Sequence, residues 1–266
     1  MRLSTVPAGH NEVAEITLSG TKEVSEMDLL DAYVVRARLF PAVIAVVPAL
    51  TLLLLAGNWT APNIPAIISS VGIGVLLFAG ADLARRAGLR KERQLFSATG
   101  GRPYISELTR ADNSLFDEVS KAEYRAFLAA KINRQVPSAA EETADTDGAK
   151  EFYNACSRWL RENTRDKERF HVLLGENISY GFRRNMWGLK WFGIAVNLST
   201  VIAAYAIYRY QPQFMSVSDG KLITQSGIAA IHVIYLLVGV SKRAVLEASR
   251  TYARQLVLSV ETLESA

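Results

Sequence analysis

Four windows of this chain carry no Asp, Glu, Lys or Arg, while the rest is crowded with them. They are LFPAVIAVVPALTLLLLA (39–56), IPAIISSVGIGVLLFAGA (64–81), WFGIAVNLSTVIAAYAIY (191–208) and LITQSGIAAIHVIYLLVGV (222–240). Each holds about 18 residues, near the lower end of what crosses ~30 Å of bilayer hydrocarbon as a helix. In that medium every backbone N–H and C=O must be bonded from within the protein, which selects the helix for isolated spans.

The spacing of the windows predicts two hairpins. A short uncharged link, GNWTAPN, joins the first pair and places Trp59 at interface depth. Residues 209–221 join the second pair, with Pro212, Asp219 and Gly220 as turn residues. The two hairpin tips hold only Arg209 and Lys221, and the other cations flank the spans on the opposite side: Arg36 and Arg38 before the first span, and Arg85, Arg86, Arg90, Lys91 and Arg93 after the second. Arg183, Arg184 and Lys190 precede the third span, and Lys242 and Arg243 follow the fourth. By the positive-inside rule both termini and the central region are expected in the cytoplasm of a bacterial cell, with the chain crossing the inner membrane. The mildly basic balance fits these flanks, and no DNA partner is expected. No apolar core near the N-terminus suggests a signal peptide; residues 13–18 read as a short strand or as unstructured chain. The single cysteine, Cys156, excludes an intramolecular disulfide and suits a reducing compartment.

The expected fold is an all-α membrane protein in which two transmembrane helical hairpins flank a helical cytoplasmic domain. Its divisions are a cytoplasmic N-terminal segment 1–38, hairpins 39–81 and 191–240, a cytoplasmic helical domain 82–190, and a C-terminal amphipathic helix 241–266. Pro41 is expected in the first turn of the first span, where a missing N–H costs little, and Pro48 to kink it. Gly72, Gly74 and Gly80, with Ser69 and Ser70, form a small-residue face suited to close helix contact and self-association. Between the hairpins, the second span continues as a polar helix until the Gly100–Gly101–Pro103 break. SLFDEVSKAEYRAFLAAKI follows as an amphipathic helix with Ser114 and Asp117 as its capping box. PSAAEETADTDGA (137–149) reads as an acidic loop. KEFYNACSRWLREN reads as a helix with Phe152, Tyr153, Cys156, Trp159 and Leu160 inward. A further helix and turn are expected up to Gly181.

Chemistry-bearing patterns are sparse. No G-x-S-x-G surrounds any serine, no phosphate-binding glycine loop is present, and His10, His171 and His232 stand in three unrelated settings. Paired His/Cys ligands at tight spacing are absent, so neither a metal nor a cofactor is expected. His232, inside a span, is a functional candidate whose more ordinary role is an interhelical hydrogen bond. The densest stretch is RENTRDKERFHVLLGENISYGFRRNMWGLKWFG (161–193). Arg161, Arg165, Lys167, Arg169, Arg183 and Arg184 suit a phosphate-bearing ligand, with Tyr180, Phe182 or Phe170 stacking on a base. The plainer reading pairs the first cations with Glu162, Asp166 and Glu168 along a helix face. It makes Arg183, Arg184 and Lys190 a membrane collar, with Trp187 and Trp191 as its aromatic belt. The ligand or gating candidates are Arg169, His171, Glu176, Asn177, Tyr180, Arg183 and Arg184. Pro48, Gly72, Gly74 and His232 are the candidates for transmembrane packing.

The segment WLRENTRDKERFHVLLGENISYGFRRNMWGLK (159–190) resembles one found in poorly characterised bacterial membrane proteins with a cytoplasmic segment between two transmembrane hairpins. The layout of the whole chain is similar to that of four-span effectors predicted in bacterial anti-phage operons. The resemblance implies a non-enzymatic, self-associating protein that perturbs the inner membrane when a partner protein or a nucleotide signal reaches it. It carries over no catalytic residue. Two alternatives stay open. One is a membrane scaffold or sensor that only binds a partner protein; the other is a membrane enzyme using Glu176, His171 and Tyr180.

Overall fold

The structure is a computed structural model describing residues 33–57, 64–98, 102–110, 116–212 and 215–265, apart from the side chains of residues 64–71, 73, 74, 77 and 98. The expectations for residues 1–32, for Trp59, for Gly100 and Gly101, and for Ser114 lie outside these residues, as do those for the side chains of Ser69, Ser70 and Gly74. Among the described residues there is no strand, only an isolated antiparallel bridge between Gly57 and Met215.

Nine α-helices are described: α1 Phe40–Ala56, α2 Ile64–Ala98, α3 Pro103–Leu108, α4 Glu118–Ile132, α5 Ala139–Ala144, α6 Thr146–Asn163, α7 His171–Tyr210, α8 Asp219–Ile234 and α9 Lys242–Glu264. A π-turn, Val35–Leu39, leads into α1, and another, Tyr235–Gly239, extends α8. Among the described residues three helical stretches are long and apolar enough to cross a membrane: Val35–Ala56, His171–Tyr210 and Asp219–Gly239. No more than 33% of the apolar window of each is buried within the molecule. Leu54, Ile202 and Val238 are among the large apolar side chains left on the outside, as lipid-facing positions are. The protein is thus a helical chain built for a membrane. The second apolar window forms the first half of α2, which is helical throughout.

Length explains the architecture. At 1.5 Å per residue, α7 with its 40 residues spans ~60 Å and α2 with 35 spans ~52 Å, each far longer than the bilayer core. Both run without a break from apolar sequence into polar sequence. Gly181 lies inside α7, so the expected turn there is replaced by continuous helix. The reason is that residues 171–190 contain no proline and their apolar residues keep helical spacing, so nothing stops propagation.

Outside the apolar region the polar halves of α2 and α7 join α3 to α6 and α9. Leu108, Leu128, Phe152, Tyr153, Cys156, Leu160, Leu173, Leu256 and Val260 form one core. A second cluster, Leu95, Phe96, Tyr180, Val245 and Ala248, fastens α9 to both long helices. Local caps set the ends. α4 begins one turn later than the sequence suggested: Asp117 is its N-cap, accepting from the amides of Val119 and Ser120 at 2.9 Å each. The expected acidic loop 137–149 is instead mostly helix. Ser138 and Glu141 make a reciprocal capping box that starts α5, and Asp145 caps α6. Alanine and glutamate then propagate the turns they start.

Candidate functional site

The polar groups within the apolar bundle converge on the two prolines of α1. Proline lacks the N–H that would serve the carbonyl four residues back. For Pro48 that carbonyl belongs to Ile44, and His232 Nε2 lies 2.8 Å from it. For Pro41 it belongs to Ala37, and Asn185 Nδ2 donates to it at 2.7 Å. Pro41 is the second residue of α1, in its first turn as expected, but helical backbone already runs from Tyr33 through the π-turn ahead of it, so the Ala37 carbonyl still lacks its helical donor. Its missing N–H is compensated from α7.

The bonds around His232 fix its state. Asn197 Nδ2 donates to the Ala229 carbonyl at 2.8 Å and lies 3.1 Å from His232 Nδ1. An amide N–H facing Nδ1 and a carbonyl facing Nε2 select the neutral imidazole with its proton on Nε2. Gln225, fully buried, donates Nε2 to the Pro48 carbonyl at 3.0 Å, while its Oε1 has no hydrogen-bond partner among the described residues. α1, α7 and α8 are therefore held together by side chain–backbone bonds rather than by shape alone.

Where α2 and α7 leave the apolar region, their backbones touch. A Cβ on Gly188 would lie 2.5 Å from the Gly88 amide nitrogen, and one on Gly88 would lie 2.2 Å from Asn185 Oδ1. Beside this crossing, Glu92 is buried between two arginines. Arg184 Nη1 donates to it at 2.7 Å, and Arg102 Nη2 lies at 3.0 Å. Arg184 also reaches Asn185 Oδ1 at 3.3 Å and stands over the Tyr180 ring. Tyr180 stacks parallel to Tyr252 of α9, with centroids 6.1 Å apart. Burial, with the Glu92 charge next, pushes the Tyr180 hydroxyl pKa up, so it stays protonated.

Farther out, at the α6–α7 turn, lies a cavity of about 330 Å³. Arg161, Arg165 and Lys167 line it together with Asn177 and Tyr252, and no carboxylate among the described residues does.

The sequence candidates scatter over these places. Asn177 lines the cavity; Arg184 and Tyr180 belong to the buried ion cluster. Arg169 donates to the Thr262 carbonyl and tethers α9. His171, at the start of α7, is exposed, its Nδ1 3.2 Å from the Glu168 carbonyl. Glu176 is half-buried on the same helix. Arg183 is exposed and lines a separate cavity with Ser179 and Tyr235. Arg184 is not part of a solvent-facing collar, because Glu92 holds it inside. Residues 164–170 are a turn rather than a charged helix face. Lys190 donates to the Val240 carbonyl at 2.9 Å and closes the chain break after the second π-turn. Pro48 and His232 meet at α1. A Cβ on Gly72 would meet nothing within 4 Å among the described residues. Gly80 of the expected small-residue face does approach α1, where a Cβ on it would lie 3.3 Å from that of Ala42, and further close approaches fall at Gly88, Gly181, Gly188 and Gly193.

Cys156 is fully buried in α6, and burial pushes its thiol up to about 12, which removes it as a nucleophile at neutral pH. Among the described residues no group of His, Cys, Asp and Glu has the arrangement of a metal site. No family model, no curated protein and no solved structure matches the chain.

Proposed function

We propose that this chain is a gated, membrane-perturbing effector of the bacterial inner membrane. In this reading it has four spans in two hairpins, both termini are cytoplasmic, and copies self-associate through the open face that carries Gly72. The helical body outside the membrane receives a signal, from a partner protein or a nucleotide, and the spans respond. Its place in anti-phage defence follows from the resemblance of layout alone.

One observation carries the proposal: the bond from Asn185 to the Ala37 carbonyl. It links the helix that reaches into the body to the head of α1, at a carbonyl left open by Pro41. The helix so gripped contains a second proline, Pro48, whose open carbonyl is held by His232. Contacts continue outward from Asn185 through Arg184, Glu92 and Tyr180 to Tyr252 on α9. Such side chain–backbone bonds are modest in energy, so a helix held by them has a second arrangement within reach.

The test is permeability. The full chain is reconstituted in dye-loaded liposomes and, separately, expressed in cells carrying a potential-sensitive dye. Asn185→Ala releases the grip on α1 and is expected to raise dye leakage and depolarisation above wild type at equal membrane abundance. If neither wild type nor Asn185→Ala nor His232→Leu permeabilises liposomes or cells, the reading fails and a partner-binding scaffold takes its place.

A further inference from the structure

We infer that the cavity at the α6–α7 turn is a binding site for a small soluble ligand with an anionic head on a flat ring, a nucleoside phosphate in chemical class. This assignment rests on the gated reading above and names the trigger of that same device. The lining divides by chemistry. Arg161, Arg165 and Lys167 bring three cations to the lining, and no acid among the described residues joins them. Arg165 pairs with Glu162 on the exposed side, where such a pair is weak and exchanges readily with a ligand anion. Arg161 has no carboxylate partner among the described residues and rests on the Tyr104 ring, 5.7 Å from its centroid. Phe170, Leu173 and Tyr252 make the apolar wall, and Asn177 adds an amide able to donate and accept at a ring edge. Cations, aromatic surface and a single amide in one lining are what a phosphate-bearing ring requires. A volume of about 330 Å³ falls at the small end of ligand pockets, which suits one ring and one phosphate group.

Position separates this site from its competitors. A larger cavity of about 510 Å³ lies between α3, α5 and α6, but its Arg110 is already bonded to Glu142 and to the Pro137 carbonyl. A lipid headgroup does not fit as occupant. Asn177 lies 14 residues before Trp191, which is ~21 Å along the helix from the start of the apolar region. Tyr252 gives the site its connection, since one ring both lines the cavity and stacks on Tyr180 beside the buried ion cluster.

The experiment is calorimetric titration of the full chain in nanodiscs with adenosine monophosphate, guanosine monophosphate, adenosine and inorganic phosphate. At least one monophosphate is expected to bind about tenfold or more tightly than either adenosine or phosphate alone. Arg161→Gln combined with Lys167→Gln is expected to weaken that binding at least about tenfold with an unchanged melting temperature, and Arg183→Gln to leave it unchanged. The assignment is overturned if no probe binds more tightly than roughly 1 mM. It is also overturned if the double substitution has no effect, or if the signal follows the anionic lipid content of the disc instead of the added nucleotide. Binding is read without any permeability measurement. Binding with no leakage therefore removes the gating reading and keeps the site, whereas leakage with no binding does the reverse.

Discussion

His232 Nε2 lies 2.8 Å from the Ile44 carbonyl, the one acceptor in the middle of α1 that Pro48 leaves without its helical donor. The pair makes a double-mutant cycle informative. His232→Leu is expected to cost about 1 kcal/mol in detergent unfolding, in line with interhelical hydrogen bonds inside bilayers. In a Pro48→Ala background the new amide serves Ile44 itself. The cost of His232→Leu should then fall by about half, leaving the unmet Asn197 amide as the remainder. Additive costs would show that the proline and the histidine are not partners.

Glu92 balances Arg184 and Arg102 in a buried setting. Glu92→Ala leaves the nearly buried Arg184 without its counter-charge and is expected to destabilise the fold by about 3 kcal/mol. Arg102→Ala removes a half-exposed partner and should cost under about 1 kcal/mol. Thermal melts of the two variants in the same detergent check the order.

Two glycines in α7 are predicted to behave oppositely. Gly188→Ala places a Cβ 2.5 Å from the Gly88 amide, so α2 and α7 must separate, with an expected loss of about 2 to 3 kcal/mol. Gly175→Ala meets nothing within 4 Å and should stabilise by about 0.5 to 1 kcal/mol through helix propensity alone. Unfolding midpoints of the two proteins, measured side by side, decide it.

Because burial pushes the Cys156 thiol up to about 12, it should resist maleimide at pH 8 in the native protein and react on unfolding. The sign for stability follows. The folded state keeps its proton above the ordinary thiol range near 8.5, so the contribution of this group is complete below about pH 8.5 and is lost as pH rises toward about 12. Labelling kinetics against pH, with a denatured control, measure it.

Much of the fold could be read from sequence because charge-free windows and helical spacing report length and polarity, which decide what sits in a bilayer. The inward residues Phe152, Tyr153, Cys156 and Leu160 are of that kind. Helix ends were harder to read. Asp117 could stand at either end of a capping box, and only the chain's path assigns it to the N-cap. The site was least legible. Gly88 and Gly188 lie 100 residues apart and carry no mark beyond being glycines, so their contact is a fact of tertiary packing. Glu92 reads locally as one acid in a basic run, whereas its partners Arg102 and Arg184 come from other segments. One signal was available: each proline in an apolar window implies an open carbonyl four residues back, and a polar side chain in a facing span is the group to supply it. His232 is such a residue.

The bare backbone contact between Gly88 and Gly188 gives α7 a fulcrum. About 26 Å of helix lies on the cavity side of Gly188 and about 33 Å on the membrane side, by the helical rise of its 40 residues. With no side chain at either glycine to lock into a neighbour, the two helices can rock on this point more easily than at an interdigitated crossing. A small tilt at His171 would then swing Tyr210 the opposite way over a slightly longer arm. If the proposed gating holds, such a lever would carry a tilt from the cavity end to the apolar end without loss of amplitude.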